Sequence, residues 1–371
     1  MGDQFGRNFR LHIFGESHGP GIGIAMEGVE PGLVLDMDRI RFQMARRAPG
    51  ASLTTARTEA DEAEWISGLY QGTTTGTSLT AVIRNTDALS GDYEKISGIP
   101  RPSHADYTGA LKYQGFGDQR GGGHFSGRLT AALVLAGAVA EQALKNHMDY
   151  QAGSHMLRVY RAAEDPFRED QLTVDVLKGL ENRRIPVLDP EQEERILAIL
   201  EEAKEEKDSV GGVLETAVIG LPAGLGDPFF DSMESRLSQL LFSVPGLKGL
   251  TFGAGLSLAD MKGSQANDAL CLENGQVRTK TNHNGGILGG ITNGMPVIFR
   301  TLFKPTASIG RPQKTLNMST GREEVLEISG RHDPCILLRA VPVVEACAAI
   351  AVYDAFLESD QYRSSRESCR M

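Results

Sequence analysis

The chain has 371 residues, of which 40% are hydrophobic and 23% charged, and its formal net charge at pH 7 is −10. Such a composition is ordinary for a soluble globular protein that buries a sizeable core. The acidic balance argues against a nucleic acid as the main partner, because a long polyanion would be repelled. No stretch approaches the ~20 uninterrupted apolar residues of a membrane span, and the N-terminus lacks an apolar signal core. We therefore expect a cytoplasmic protein that does not insert into membranes.

The predicted elements follow one another in an irregular order. In the first third, the patterns predict strands at 9–14 and 22–29, a helix at 36–48 capped by Asp36, and strands around Trp65 and from Thr77. Farther along, they predict an Ala-rich helix at about 129–146, a helix from Asp189, strands in GGVLETAVIGLP and MPVIFRTLF, a helix capped by Asp231 between them, and a last helix at about 341–357. Because helices and strands do not alternate regularly, the expected fold class is α+β rather than a doubly wound sheet.

Several common signatures are missing from the sequence. Cys271, Cys335, Cys347 and Cys369 form no CxxC pair, so neither zinc spacing nor a disulfide framework is indicated. The histidines show no HxxxH or HxH spacing, so we expect no metal site. There is no GxGxxG after a strand and no GxxxxGK[ST], which leaves Rossmann and P-loop folds without support. The Gly- and Asn-rich stretch 253–290 is long for a plain connection and predicts a functional or mobile loop.

The segment from Arg101 to Arg128, RPSHADYTGALKYQGFGDQRGGGHFSGR, concentrates groups that suit the binding of an anion. Its glycine run precedes the predicted Ala-rich helix, where converging N–H groups and the helix dipole favour a negative charge. Arginine beside such a terminus binds phosphate or carboxylate in bidentate fashion. We therefore predict a small anionic substrate, with proton transfers around it.

Other candidate residues lie in loops, each with a plainer alternative. His18, in GESHG, is accessible to a ligand and titrates in the range of a general acid, but a loop histidine can also cap local backbone. His104, in RPSHADYT, has the same two interpretations. Asp333, in GRHDPC, is either a base or a backbone cap. The loop from Lys304 to Ser308 offers an ammonium and hydroxyls after a strand and is a reasonable phosphate cradle.

A set of motifs between positions 15 and 335 occurs in a recognisable order: GESHG, RPSHADYT, GGGHFSGRLT, GGILGGITNGMP, KPTASI and GRHDPC. In this order they resemble the chorismate synthase family. The resemblance implies a lyase of the shikimate pathway that converts 5-enolpyruvylshikimate 3-phosphate to chorismate and phosphate by anti-1,4-elimination. It also implies reduced FMN as a cofactor that is not consumed, a β-α-β sandwich formed by a single domain over 1–371, and a homotetramer.

The same resemblance implies roles for the residues expected to be catalytic. His18 matches the histidine that protonates the leaving phosphate. His104 matches the histidine placed to protonate the reduced flavin near N1. Asp333, together with Ser17 and Ser126, resembles the relay that helps flavin N5 to accept the ring proton.

The resemblance further implies two sets of binding residues. The positions that match the substrate pocket are Arg46, Arg47, Arg57, Arg101, Arg128 and Arg331. The positions that match flavin contacts are His124, Phe125, Ser126, Pro245, Gly246, Gly289, Lys304, Pro305, Thr306, Ala307, Ser308 and Arg331. Where the family commonly has Arg-Ser-Ser and Asn-Ala, this chain has His124-Phe125-Ser126 and Pro245-Gly246, which leaves open whether these residues would contact FMN through backbone or side chain. The electrons that reduce FMN come either from NADPH, to which the position of Arg47 is sometimes linked, or from an outside reductant.

Two alternatives belong to other functional classes. A flavin- or phosphate-binding module without turnover is motivated by the altered signature at 124–129. A metal-dependent hydrolase would use the scattered histidines. Phosphate release under anaerobic conditions and metal analysis, respectively, separate these alternatives from the lyase.

Overall fold

The structure, a computed structural model, describes residues 2–48, 61–85, 98–118, 120–328, 333–360 and 362. Its helices are α1 (Met37–Arg47), α2 (Asp106–Lys112), α3 (Thr130–Lys145), α4 (Val174–Glu181), α5 (Pro190–Glu205), α6 (Met233–Leu241), α7 (Gly263–Ala266) and α8 (Leu337–Glu358). Its strands are β1 (Gln4–Phe5), β2 (Arg10–Gly15), β3 (Gly21–Glu27), β4 (Ala63–Ser67), β5 (Leu69–Tyr70), β6 (Thr73–Thr74), β7 (Leu79–Arg84), β8 (Gln151–Val159), β9 (Ala162–Ala163), β10 (Gly212–Ile219), β11 (Leu247–Phe252), β12 (Leu270–Glu273), β13 (Gln276–Thr279), β14 (Ile287–Leu288), β15 (Ile291–Thr292), β16 (Val297–Phe303), β17 (Gln313–Asn317) and β18 (Arg322–Leu326).

Two antiparallel five-stranded sheets form the outer layers. The first has the strand order β1-β2-β3-β7-β4, and the second has the order β11-β16-β10-β8-β9. In β7, Leu79, Ala81 and Ile83 are buried and alternate with less buried residues, as expected of a strand with one face on the core. In β10, by contrast, the residues from Leu214 to Val218 are all buried, because α8 and β10 are in contact on one face and α4 packs on the neighbouring β8.

The helices α3 and α8 form the middle layer. They pack along each other, while α3 contacts β3 of the first sheet and α8 contacts β8 and β10 of the second. A Cβ atom on Gly137 of α3 would lie 2.3 Å from the Cβ of Ala346 on α8, so this close helix contact requires glycine. The predicted α+β class and the β-α-β layering are therefore confirmed.

Helix α8 is long and apolar enough to cross a membrane by length and composition. However, 94% of its most apolar window is buried inside the protein, and no other helix among the described residues passes the same test. A helix that is apolar on all sides is expected in the interior of a fold, and α8 is the core helix of this one.

Most predicted elements are present, with three differences. Helix α6 is capped by Ser232, whose hydroxyl accepts from the Ser235 N–H, so the predicted cap at Asp231 is wrong by one residue. Helix α8 begins at Leu337 rather than near 341, and it contains Pro342. The stretch 253–290 carries a 3₁₀ turn, α7 and the β12–β13 hairpin, so it has secondary structure of its own.

Candidate active site

A cavity of about 540 Å³ lies where loops from the two sheets meet the N-terminal end of α8. It is lined by residues from 101–105, 121–130, 242–248, 304–308 and 333–343. Its volume falls in the range of about 300–1,000 Å³ that is usual for small-molecule sites. The cavity therefore brings together loops that are far apart in the chain.

The glycine run lies between two histidines, and its first residue, Gly121, is part of the cavity lining. Gly121, Gly122 and Gly123 have φ angles of 62°, 94° and 53°, which favour glycine. A Cβ on Gly121 would lie 2.3 Å from the His18 ring, and a Cβ on Gly122 would lie 3.4 Å from Nε2 of His104. The absence of side chains thus lets both rings approach the same short segment. The run does not itself open a long helix, because it lies inside one 3₁₀ turn and a second 3₁₀ turn separates it from α3.

The loop that carries His18 is held in place by hydrogen bonds. The Ser17 N–H donates to the Gly123 carbonyl at 3.2 Å, and the Ser17 hydroxyl donates to the Arg120 carbonyl at 3.3 Å. The Asn85 amide donates to carbonyl groups on both sides of His18, at 2.9 Å each. His18 and Ser17 are both buried, so the position of the histidine is set by the surrounding backbone.

His104 belongs to a cluster with Arg101 and Asp106. Nδ1 of His104 lies 2.6 Å from Oδ1 of Asp106, and Arg101 donates to both carboxylate oxygens. Arg101 also donates to the Ser308 hydroxyl at 3.1 Å, which connects the cluster to the loop after β16. Burial raises the pKa of the Asp106 carboxyl, but hydrogen bonds from Arg101 and His104 outweigh burial and hold that pKa well below its usual range.

Arg128 reaches the cavity from a buried ion cluster. Its guanidinium donates to Oδ1 of Asn85 at 3.1 Å and to the carboxylate of Asp61. The other oxygen of Asp61 accepts from Arg47 at 2.6 Å. Burial, with the charges of Arg339 and Arg128, lowers the pKa of Arg47 to about 9. One buried carboxylate therefore holds two guanidiniums, of which only that of Arg128 lines the cavity.

Asp333 lines the cavity beside an arginine that the sequence did not single out. Nη1 of Arg339 donates to Oδ2 of Asp333 at 2.9 Å, and Nε of Arg339 donates to the Arg47 carbonyl at 3.2 Å. The Thr306 hydroxyl donates to the Asp333 carbonyl at 3.2 Å. Arg339 stands in the first turn of α8, just after the GRHDPC motif, and this position is the only sequence signal that pointed to it.

Two lysines add positive charge to the cavity. Lys248 and Lys304 both line it, and neither forms an ion pair within the part of the chain that the structure describes. Partial burial and the charge of Lys248 lower the pKa of the Lys304 ammonium. Asp333 is the only carboxylate among the described lining residues. The cavity therefore has an excess of positive charge in an acidic protein.

The residues predicted for flavin contacts mostly line the cavity. His124, Phe125, Ser126, Pro245, Gly246 and the loop Lys304–Ser308 are all part of its wall. The ring nitrogens of His124 are engaged by the protein, however, because Nδ1 lies 3.0 Å from the Gly15 carbonyl and Nε2 lies 2.9 Å from Asp3. A contact of His124 with a ligand would thus use its backbone or ring face.

Other predicted residues lie elsewhere. Arg46 donates to Glu345 at 2.5 Å and to Gln43 at 2.7 Å, inside the helical layer. Gly289 is in the exposed turn between β14 and β15. Neither residue lines the cavity. Arg57 and Arg331 lie outside the described residues.

Metal ligation is not suggested by the geometry. Over 2–48, 61–85, 98–118, 120–328 and 333–360, no group of three or more His, Cys, Asp or Glu side chains is arranged to hold a metal ion.

A cavity with excess arginine and lysine, and with two histidines at a glycine wall, defines an enzyme-type site for a small polyanion. The family model described as chorismate synthase matches residues 9–357. The chain is 43% identical to the chorismate synthase of Methanocella arvoryzae, covering 96% of this chain and 94% of that one. It is 42% identical to the chorismate synthase of Korarchaeum cryptofilum, covering 96% and 98%. A crystal structure of chorismate synthase superposes with a TM-score of 0.76 at 26% identity, covering 98% of both chains.

The chain therefore belongs to the chorismate synthase family. The predicted family and the predicted lyase activity in aromatic amino-acid biosynthesis are confirmed at this level, and the family implies reduced FMN as cofactor.

Proposed function

We propose that this cavity converts 5-enolpyruvylshikimate 3-phosphate to chorismate and phosphate with reduced FMN bound beside the substrate. In this reaction a ring C–H bond and the C–O bond to phosphate break, and a new C=C bond forms. The observation that supports it best is the cation-rich cavity, which has His104 and Asp333 in its lining and His18 against its glycine wall.

The arginines suit the anionic groups of this substrate. It carries two carboxylates and a phosphate, and guanidinium groups bind such groups in bidentate fashion. Arg101, Arg128 and Arg339 supply three guanidiniums, each oriented by a hydrogen bond to a carboxylate. The pairing leaves these side chains rigid, so that less conformational freedom is lost when the substrate binds.

The donor set of the cavity also fits FMN. The two lysines that pair with no described carboxylate suit its phosphate, and the loop Lys304–Ser308 offers hydroxyls beside them. Apolar side chains such as Phe242, Val244 and Ile336 suit its ring system. When bound, reduced FMN supplies electron density that eases the departure of phosphate, while the protein contributes orientation and electrostatics.

Three groups handle protons in this proposal. His18 donates a proton to the leaving phosphate, as its burial against Gly121 at the cavity wall suggests. His104 takes up and releases a proton at Nε2 in the cavity. Asp333, with Ser17 and Ser126, relays the ring proton. General acid and base groups of this kind contribute about 10²–10⁴-fold each.

Finer proposals follow from the resemblance alone. We propose that the chain assembles as a cytoplasmic homotetramer, that 1–371 acts as one domain, and that the flavin is reduced either by NADPH or by an outside reductant. The guanidinium of Arg47 is buried on Asp61, so the geometry adds no support for an NADPH contact there. Assays with oxidised FMN, with and without NADPH, test the reductant, and sedimentation tests the tetramer.

The decisive test is anaerobic turnover. Protein with reduced FMN should convert the enolpyruvyl substrate to chorismate and release phosphate in equal amounts. Binding of FMN without phosphate release would instead identify a flavin-binding module, and activity that is lost on chelation would identify a metal-dependent enzyme.

A matched pair of histidine variants assigns the chemistry to this cavity. His18→Asn should lower kcat by about 10²–10⁴-fold and leave the circular dichroism spectrum unchanged. His12→Asn is the control, because His12 is exposed on β2 and its ring nitrogens contact only Gln4 within the described chain. Equal activity of the two variants would remove His18 from the mechanism.

A further inference from the structure

The carboxylate of Asp106 contacts two side chains that line the cavity, although Asp106 is not itself part of the lining. Its Oδ2 accepts from Nε of Arg101 at 2.7 Å and from the Arg101 backbone N–H at 2.9 Å. Its Oδ1 accepts from Nη2 of Arg101 at 2.7 Å and lies 2.6 Å from Nδ1 of His104. Any effect of Asp106 on the reaction must therefore pass through Arg101 or His104.

The distances determine which nitrogen of the His104 ring carries hydrogen. Nδ1 lies 2.6 Å from a carboxylate oxygen, which only accepts, and 3.0 Å from Nη2 of Arg101, which only donates. A bare Nδ1 would place two lone pairs 2.6 Å apart, whereas an Nδ1–H makes a short charge-assisted hydrogen bond. The shorter contact therefore indicates that Nδ1 carries the hydrogen. Among the described residues, Nε2 of His104 has no hydrogen-bond partner; the ring lies beside Gly122, and His104 is part of the cavity lining.

We propose that Asp106 is the positioning residue that fixes the Nδ1–H tautomer of His104 and so presents Nε2 to the cavity. The inference rests on the proposed function only in giving His104 a part in turnover. The arrangement gives the ring one fixed proton at Nδ1, so that Nε2 is the atom that takes up or releases a proton at the cavity.

A structural role at the helix terminus explains the geometry less well. Asp106 is the first residue of α2, where the helix dipole stabilises an acidic side chain. Yet neither of its oxygens accepts from a backbone N–H of α2 within the described chain; the bonds go to Arg101 and His104. The carboxylate is aimed at the cavity residues rather than at the helix.

An isosteric change makes a directional prediction. In Asp106→Asn, the amide oxygen is expected at the Oδ2 position, where it keeps two hydrogen bonds from Arg101. The NH₂ group then occupies the Oδ1 position and faces Nδ1 of His104 as a donor. The ring should respond by moving its hydrogen to Nε2, which is the opposite tautomer.

Histidine ¹⁵N NMR at alkaline pH reads this tautomer directly. The His104 signals are assigned as those absent from His104→Asn. Wild type should show hydrogen on Nδ1, and Asp106→Asn should show it on Nε2. The same variant should lose about 10²–10⁴-fold in kcat with only a small change in KM, because binding through Arg101 is partly kept. Asp170→Asn is the control, since Asp170 makes a similar carboxylate–arginine fork with Arg168 at the surface.

The outcomes are separable. A wild-type ring with hydrogen on Nε2, or an Asp106→Asn ring that keeps it on Nδ1, overturns the proposal whatever the activity. The wild-type measurement does not depend on the folding of any variant. A tautomer switch without loss of kcat also overturns it, because the tautomer then has no part in turnover. If wild type releases no phosphate, the proposed function fails, while the NMR result still decides the role of Asp106 toward His104.

Discussion

His104 and His155 lie in clusters built from the same residue types, yet only one of them borders the cavity. His155 is fully buried in the second sheet, where Nδ1 contacts the Glu164 carboxylate and Nε2 lies 2.9 Å from Glu215. Glu215 also accepts from Nε of Arg300 at 2.8 Å. The cluster thus repeats the histidine–carboxylate–arginine set of the cavity, with a second carboxylate added.

The second carboxylate makes the difference between the two histidines. In the cluster around His155, both ring nitrogens are bound by protein, which leaves no ring nitrogen for a ligand. In the cluster around His104, the described residues bind Nδ1 alone, and the side chain keeps 19% of its surface exposed. A histidine beside a carboxylate can exchange a proton with a ligand only through a ring nitrogen that the protein leaves unbound, and of these two histidines only His104 keeps one among the described residues.

The largest expected effects come from the same substitution at these two positions. His104→Asn should lower kcat by about 10²–10⁴-fold, and it should barely change the free energy of unfolding because the ring is at the cavity edge. His155→Asn should lower the free energy of unfolding by about 3–5 kcal/mol, because two buried carboxylates lose their shared cation. Its kcat per folded molecule should stay that of wild type.

Urea unfolding and anaerobic phosphate release, measured on both variants, check this crossed pattern. A loss of kcat in folded His155→Asn would break the comparison, and so would a strong destabilisation by His104→Asn.

A buried arginine extends the comparison. Arg46 is paired with Glu345 in a cluster where Arg39 and Lys145 face Glu141 and Glu181, so positive and negative charges balance. Arg46→Met should lower the free energy of unfolding by about 3 kcal/mol, the lower end for a broken buried pair. Burial already raises the pKa of Glu345, so that carboxyl protonates readily once Arg46 is gone. Chemical denaturation measures the loss.

The same variant tests the role in substrate binding that the family resemblance implies for Arg46. If kcat/KM falls while stability is unchanged, Arg46 reaches the substrate after all. Arg311→Met is the matched control, because Arg311 is an exposed arginine at the protein surface.

Local pattern predicted much of the fold and part of the site. Asp36 caps α1 as predicted, because a cap depends on residues two and three positions away. His104 and Asp106 are also close in sequence, so the motif RPSHADYT could by itself have indicated their contact. By contrast, Arg46 and Arg47 are neighbours on α1, yet one pairs with Glu345, 299 residues away, and the other with Asp61.

The sequence Arg46-Arg47 does not indicate which carboxylate each arginine pairs with, because that depends on which elements pack against each side of α1. For the same reason Asp61 and Lys248, which approach from other elements, carried no sequence signal for the site. The family motifs identified loops that meet, and the tertiary structure determined which arginines in them face the cavity.

A smaller effect concerns pH. Burial lowers the pKa of His155, but its hydrogen bonds to Glu164 and Glu215 outweigh burial and raise that pKa above the usual histidine value. The raised pKa means that the folded state binds this proton more tightly than the unfolded state. The resulting stabilisation is complete below the unfolded pKa of about 6.5 and is lost as pH rises through the folded pKa. Its size is about 1.4 kcal/mol for each pH unit that separates the folded pKa from the unfolded pKa.

The gap in unfolding free energy between wild type and His155→Asn should therefore be widest in mild acid and should narrow toward alkaline pH. Urea titrations over that range measure it. A gap that grows with pH would mean that the buried ring is neutral, and the contrast with His104 would lose its electrostatic basis.

The smallest expected effect lies at the cavity, where the charges are exposed. Lys248→Met should weaken FMN binding by about two- to fivefold at low salt, because an exposed cation contributes about 1 kcal/mol or less. High salt should erase the difference by screening. The same change should raise the pKa of Lys304, because burial and the charge of Lys248 both lower it now.

Lys178→Met, on the exposed face of α4, is the control. If the two variants bind FMN equally well, the charge of Lys248 has no part in anion binding. The cations that bind the anion would then be the arginines and Lys304.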